Sequence, residues 1–192
     1  MRTNTTDRRV KRTEKMLIEG LTKLMAEKSV NEISVRELAD LVDINRGTFY
    51  LHYRDIFDMV EKIQQQLFDS FYERLMKYTP EIIGENPLPM IEDLFDYIAE
   101  NPDIFLVMLG PNGDMAFVER MKLLIKEKCL REWPEVFQLR TTESFEYFYA
   151  FIVNGAIGLV HNWLITGRKE SPAEMAQLVS SMVLTGINVL KK

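Results

Sequence analysis

The stretch ISVRELADLVDINRGTFYLHYRDIFDMV, Ile33–Val60, decides how the rest of the chain is read. Ser34 is a good helix N-cap, and Glu37 three residues on makes a capping box. Val35, Leu38, Ala39 and Val42 give a helix over 35–42 one apolar face. Asp43 and Ile44 turn the chain, and Asn45 caps a short helix running to about Tyr53. Two short helices joined by a tight turn form a helix-turn-helix unit. Ala39 is small where the helices cross closely. Asp43 tolerates the left-handed geometry such a turn needs, and Ile44 and Phe49 fill the small core. The second helix then shows Arg46, Gly47, Thr48, Tyr50 and His52 to solvent. Arginine reaches guanine edges and threonine offers a hydroxyl or a methyl group to a base. A tyrosine hydroxyl and a histidine can hold phosphates and fix register.

Upstream and downstream the periodicity is helical. Val10, Leu17, Ile18, Leu21, Leu24 and Met25 recur at three and four over 8–27. Asp55 can cap a helix whose stripe is Phe57, Val60, Ile63, Leu67, Phe71 and Leu75. TPEIIGENPLP (79–89) holds three prolines and a glycine and reads as a break. Helical patterns resume at 90–100, 102–109, 114–132, 142–167 and 172–190, and no useful segment alternates with period two. The expectation is an all-α chain of about nine helices: a three-helix head containing the helix-turn-helix, a connecting helix, and a larger C-terminal helical bundle.

Composition sets bounds. The 192 residues are 46% hydrophobic and 28% charged, enough for a core and a solvated surface. Cys129 is the only cysteine, so no disulfide framework or cysteine metal site is expected. That suits a cytoplasmic location. Residues 148–166, FYAFIVNGAIGLVHNWLIT, approach membrane-spanning length, but Asn154, His161 and Asn162 are costly in lipid. The segment reads as a buried helix, with no membrane partner. The net charge of −5 is unevenly spread: residues 1–54 carry +3 and residues 55–192 carry −8. A mildly basic head on an acidic body suggests two roles in one chain. Among the basic residues, Arg8, Arg9, Lys11 and Arg12 are either a DNA-reaching arm or a solvated tail. No phosphate loop, nucleophile elbow or paired His-Glu metal motif is present, so no enzyme, cofactor or metal is expected.

Residues 33–60 resemble the DNA-binding segment of TetR-type transcriptional regulators, the signature falling on Val35, Leu38, Ala39, Thr48, Phe49, Tyr50, His52 and Tyr53. The resemblance implies a DNA-binding domain over 1–54 and a ligand-sensing, dimerising domain over 55–192. By the same resemblance Arg46, Gly47 and Thr48 would face bases, while Ser34, Tyr50, His52 and Arg54 would meet the phosphate backbone. Two positions depart from the family pattern: Asp43 replaces a turn glycine, and Ile56 replaces a lysine that binds phosphate. Residues 151–179 further resemble the subgroup that includes activators of dihydroxyacetone kinase operons.

One head reads few base pairs, so two recognition helices in successive major grooves are expected from a homodimer on a pseudo-palindromic operator. Phe145, Tyr149, Ile152, Ala156, Leu159 and Trp163 form one stripe of the 142–167 helix. Met175, Val179, Met182 and Gly186 continue the pattern in the last helix. A two-fold, four-helix interface is expected from these two helices of each copy, while Tyr147, Phe151, Gly158 and Ile165 lie on another side. The family resemblance also implies a small-molecule effector. Phe68, Tyr72, Phe95, Phe105, Met108, Met121 and Phe148 are the candidate pocket, and such linings suit an apolar or aromatic ligand. The sequence points to a ligand-responsive repressor, with an activator or a protein-interaction module as the alternative.

Overall fold

Wherever the three-and-four spacing runs unbroken, the chain is helical. The computed structural model describes residues 3–137 and 142–189. The order is α1 Thr3–Glu27, a 3-10 turn Val30–Glu32, α2 Val35–Leu41, α3 Arg46–Tyr50, α4 Ile56–Met76 and α5 Pro80–Glu85. It continues with α6 Leu88–Glu100, α7 Pro102–Leu109, α8 Met115–Val136, α9 Thr142–Ile165 and α10 Pro172–Asn188. The protein is all-α, with no strand among the described residues. The expected end of the last helix at 190 lies outside the described residues.

The helix absent from the sequence reading is α5, within the 79–89 break. Pro80 stands in its first turn, where a missing N–H costs nothing, and Asn86 caps its far end. A second expectation is half met. The Ser34 hydroxyl accepts from Glu37 N–H at 3.1 Å, but the Glu37 carboxylate turns to Lys28 Nζ instead of completing a capping box. A third is shifted by one residue: Phe57 is 58% exposed, and the buried stripe of α4 begins at Ile56.

Two compact units divide the chain: residues 1–67 with 110–113, and residues 68–109 with 114–192. The division falls within α4, whose residues Ile56, Met59, Val60 and Ile63 are buried.

In the first unit Leu17, Leu21, Leu38, Ala39, Phe49 and Met59 are fully buried. The turn closes as Ile44 N–H donates to Ala39 O at 3.0 Å, with Asp43 at φ 54°. The close helix approach is made by Gly20 on α1. A Cβ there would lie 2.4 Å from Val42 Cγ1 and 3.0 Å from Leu38 Cδ1. Both neighbours are stiff or fixed by their helix, so Gly20→Ala is expected to destabilise the protein by about 1–3 kcal/mol through overpacking. Urea unfolding checks this, and an unchanged midpoint would show that the helices separate freely. Asn112, in the 110–113 loop, donates to the Met25 carbonyl at 3.2 Å.

In the second unit α6 runs along α10, α8 packs on α5, α7 and α9, and α9 also meets α7. Phe95 meets Trp163 edge to face at 5.6 Å, and Tyr97 meets Phe105 likewise at 5.5 Å. Asp93 of α6 collects Arg74 Nη1 at 2.6 Å and Lys77 Nζ at 3.1 Å from the α4 end. Capping sharpens the last helix: Ser171 and Glu174 form a reciprocal box ahead of α10. Helix α9 is not the buried helix expected. It is long and apolar enough to cross a membrane, and 22% of its most apolar window is buried within the chain. One side, with Phe145, Val153 and Trp163, faces the core, while Tyr147, Phe151 and Ile165 are exposed.

Candidate nucleic-acid interface and ligand cavity

Helix α3 is five residues long and held from both ends. The Asn45 side chain accepts from Gly47 N–H at 2.8 Å, and the His52 N–H donates to Phe49 O at 2.9 Å. Phe49 is fully buried, with the Tyr50 ring edge-on at 5.5 Å and the Tyr53 ring at 5.7 Å. Anchored by that ring, the helix turns Arg46, Gly47 and Tyr50 to solvent and leaves Thr48 half-buried. Tyr50 is 57% exposed. Ser34, at the start of α2, is exposed as well. The basic residues Arg8, Arg9, Lys11 and Arg12 are exposed on α1, a helix where the sequence left arm or tail open.

His52 lies differently. Its side chain is 10% exposed and its Nδ1 is 3.3 Å from Glu14 Oε1. The ring braces the end of α3 against α1 instead of standing out from it. Ile56, where the family pattern has a lysine, is buried. Arg54 is exposed but not free: its Nε and Nη2 lie 3.0 and 2.9 Å from Asp58 Oδ1. Asp58 itself is buried. The Arg54 backbone N–H donates to it first, then the Lys62 ammonium and the Arg54 guanidinium, and together they hold its carboxyl down from 3.8 to about 2.

A depressed carboxylate stabilises the fold fully above its unfolded pKa and loses that contribution as pH falls through the folded one. The advantage of the wild type over Asp58→Asn in thermal unfolding is therefore expected to be flat above about pH 5. It should shrink between about pH 4 and 2. An equal gap at both ends of that range would show that Asp58 is not the titrating clasp.

The second unit contains a cavity of about 190 Å³. Of the expected lining, Phe95, Phe105, Met121 and Phe148 are there. Phe68, Tyr72 and Met108 are not. Tyr72 is 46% exposed, Met108 is buried away from the cavity, and the Phe68 ring lies under the Arg120 guanidinium at 3.8 Å. The α4 residues at the wall are Phe71 and Leu75, on the stripe that faces inward. Trp133, Cys129 and Lys128 complete the α8 side, which the sequence reading missed for lack of a cue to that helix's inner face. Burial pushes the Cys129 thiol up to about 12, so it stays protonated at neutral pH. Among the described residues no cluster of three His, Cys, Asp or Glu could hold a metal.

The expected dimer residues separate into two groups. Phe145, Tyr149, Trp163, Met175 and Val179 are buried within the chain, Val179 at the floor of an outward groove. Several of them line the cavity. Ile152, Ala156, Leu159, Met182 and Gly186 lie along an outward apolar groove of α9 and α10 with Phe151, Gly155 and Leu178. A Cβ added at Gly155 or Gly158 would meet nothing within 4 Å, while one at Gly186 would strike the Phe148 ring at 2.6 Å. Phe148 borders both the groove and the cavity.

Residues 85–185 match the TetR-type family described as a transcriptional regulator C-terminal region. The chain is 21% identical over 187 residues to the uncharacterized HTH-type transcriptional regulator YuxN of Bacillus subtilis, covering 91% of this chain and 62% of that one. It therefore spans less than two thirds of that relative's length. It is 21% identical over 179 residues to the HTH-type transcriptional regulator AcrR of Shigella flexneri, covering 83% and 81%. Among solved structures, the dihydroxyacetone kinase operon activator DhaS superposes with a TM-score of 0.61 at 15% identity, covering 94% of this chain and 98% of that one. At that identity the likeness is one of fold.

Proposed function

The chain belongs to the TetR-type family of transcriptional regulators, and we propose that it is a homodimeric, sequence-specific DNA-binding repressor that responds to an apolar effector. The observation that carries this is α3: a short, doubly capped helix pinned by buried Phe49, with Arg46, Gly47 and Tyr50 on its open side. In this reading Arg46 and Thr48 contact base edges, and Gly47 admits the helix close to them. Tyr50, Arg54 and Ser34 hold phosphates. His52, tucked against Glu14, acts by fixing α3 rather than by touching DNA. Repression follows because occupancy of a promoter is sufficient to block it. The site of action is the cytoplasm, where the DNA is.

Dimerisation supplies the second half-site. The groove of α9 and α10 is its proposed surface, with Phe151, Leu159 and Met182 as the apolar contacts and Gly155 and Gly158 leaving room for a partner helix. This keeps Ile152, Ala156 and Leu159 of the stripe read from the sequence and adds Phe151 from the side of α9 next to it. The cavity takes the effector. Two segments join its walls to the first unit: α4, which carries Phe71 and Leu75, and the 110–113 loop between α7 and α8. An effector shifts DNA affinity only by its differential affinity for the two states those segments allow.

Selection of bound duplexes from a random pool tests the reading. A two-fold symmetric motif is expected. Thr48→Ala should relax preference at one position of each half-site, at a cost of about 1–3 kcal/mol. Tyr50→Ala should weaken binding to all sequences more evenly. If both variants enrich the same motif with undiminished affinity, the recognition helix lies elsewhere.

A further inference from the structure

The outermost ridge of α3 carries one side chain, and that side chain is apolar. At about 100° per residue, positions two apart lie on opposite sides of a helix. Gly47 and Leu51 stand two residues before and two after the fully buried Phe49, and being four apart they share one ridge. Leu51 follows the last residue of α3 with φ −74° and ψ −20°, so the helical path carries through it. Its N–H donates to Thr48 O at 3.3 Å. Gly47 adds no side chain to the ridge. Leu51 is 83% exposed, the most open large apolar side chain among the described residues. Tyr50, also exposed, flanks the ridge on one side, and half-buried Thr48 flanks it on the other. His52, further round toward the Phe49 side, is tucked in against Glu14. A single exposed leucine is ordinary on a protein surface. This one stands directly opposite the ring that anchors the helix.

Resting on the reading that α3 enters the major groove, we infer that Leu51 is a specificity-determining residue that packs on the C5-methyl group of a thymine. A leucine has no hydrogen bond to give to a base edge or a phosphate. The thymine methyl is the apolar group that a base pair presents in the major groove. Packing the two together removes both from water. Cytosine at the same place offers no methyl group, and its N4 amino group would lose water without gaining an acceptor. Leu51 is one turn beyond Gly47 on the same ridge, so the close approach that Gly47 permits brings Leu51 against the bases. Its own chain gives up little for this contact, because so much of the side chain is open.

The test replaces each thymine of the selected duplex in turn by deoxyuridine, which lacks only the methyl group. At one thymine of each half-site the wild type should lose about 4-fold in affinity, and about 15-fold when the symmetric pair is replaced, as one buried methyl group per half-site gives. Leu51→Ala should bind the thymine and uracil duplexes equally at that position, with an unchanged thermal midpoint. Thr48→Ala should keep the discrimination there, which separates the leucine from the threonine methyl. A selected half-site without thymine, indifference of the wild type to every replacement, or the same discrimination in Leu51→Ala would overturn the inference. The recognition helix would still stand in those cases if Tyr50→Ala weakens binding. Absence of any selected motif, or one bound undiminished by both Thr48→Ala and Tyr50→Ala, would remove the recognition-helix reading together with this one.

Discussion

Phe151→Asp is expected to leave the protein folded, monomeric, and at least about 100-fold weaker on its operator. Phe151 is 77% exposed, so its own chain gains little from the ring. In a two-fold dimer each copy would place the new carboxylate in an apolar seam of α9 and α10, with no basic partner among the groove residues. Burying an unpaired carboxylate costs several kcal/mol per ion, and about 1.4 kcal/mol is a tenfold change in equilibrium. Light scattering should report a monomer with the thermal stability of a folded chain, and half-site binding alone should remain. A dimer that persists with unchanged operator affinity would move the interface away from this face.

The second large effect is on stability. Glu132→Ala is expected to cost about 3–5 kcal/mol, the range for removing one partner of a buried ion pair. Lys128 is 3% exposed, and Glu132 is the only carboxylate on its ammonium among the described ion pairs. The reverse change costs less. Without Lys128, the Glu132 carboxylate keeps Arg131 at 3.1 Å, and Arg131 reaches solvent. Urea unfolding of Glu132→Ala, Lys128→Met and the double variant separates these, with the double variant recovering much of the loss. A loss below about 1 kcal/mol in Glu132→Ala would mean that the ammonium finds water or another acceptor.

What the sequence made legible was local. Caps such as Ser34 and Asn45, and a turn residue such as Asp43, act within four residues, so their types announce their roles. Buried Phe49 and exposed Tyr50 follow from the same short periodicity. What stayed hidden was set by distant packing. Phe145 and Phe151 are the same residue on one helix, apolar around much of its circumference, and only the neighbours of α9 decide which ring is inside. The cavity reading chose aromatic residues by type. Phe68 and Tyr72 are richer in aromatic character than Leu75, yet the inward stripe of α4 runs through Phe71 and Leu75. His52 looked like a surface ligand because Glu14, its partner, is far away in sequence. Proline misled in one place: 79–89 read as a break, but Pro80 begins a helix.

The most direct test of the central claim is fluorescence anisotropy of the protein on the selected duplex and on a scrambled one, at 50 and 200 mM salt. The account predicts a clear preference for the selected duplex and an affinity loss of at least about 10-fold across that salt range, as the phosphate contacts of Arg54 from two heads require. Equal affinity for the two duplexes, or binding to neither at the lower salt, would contradict it and leave α3 without DNA to read.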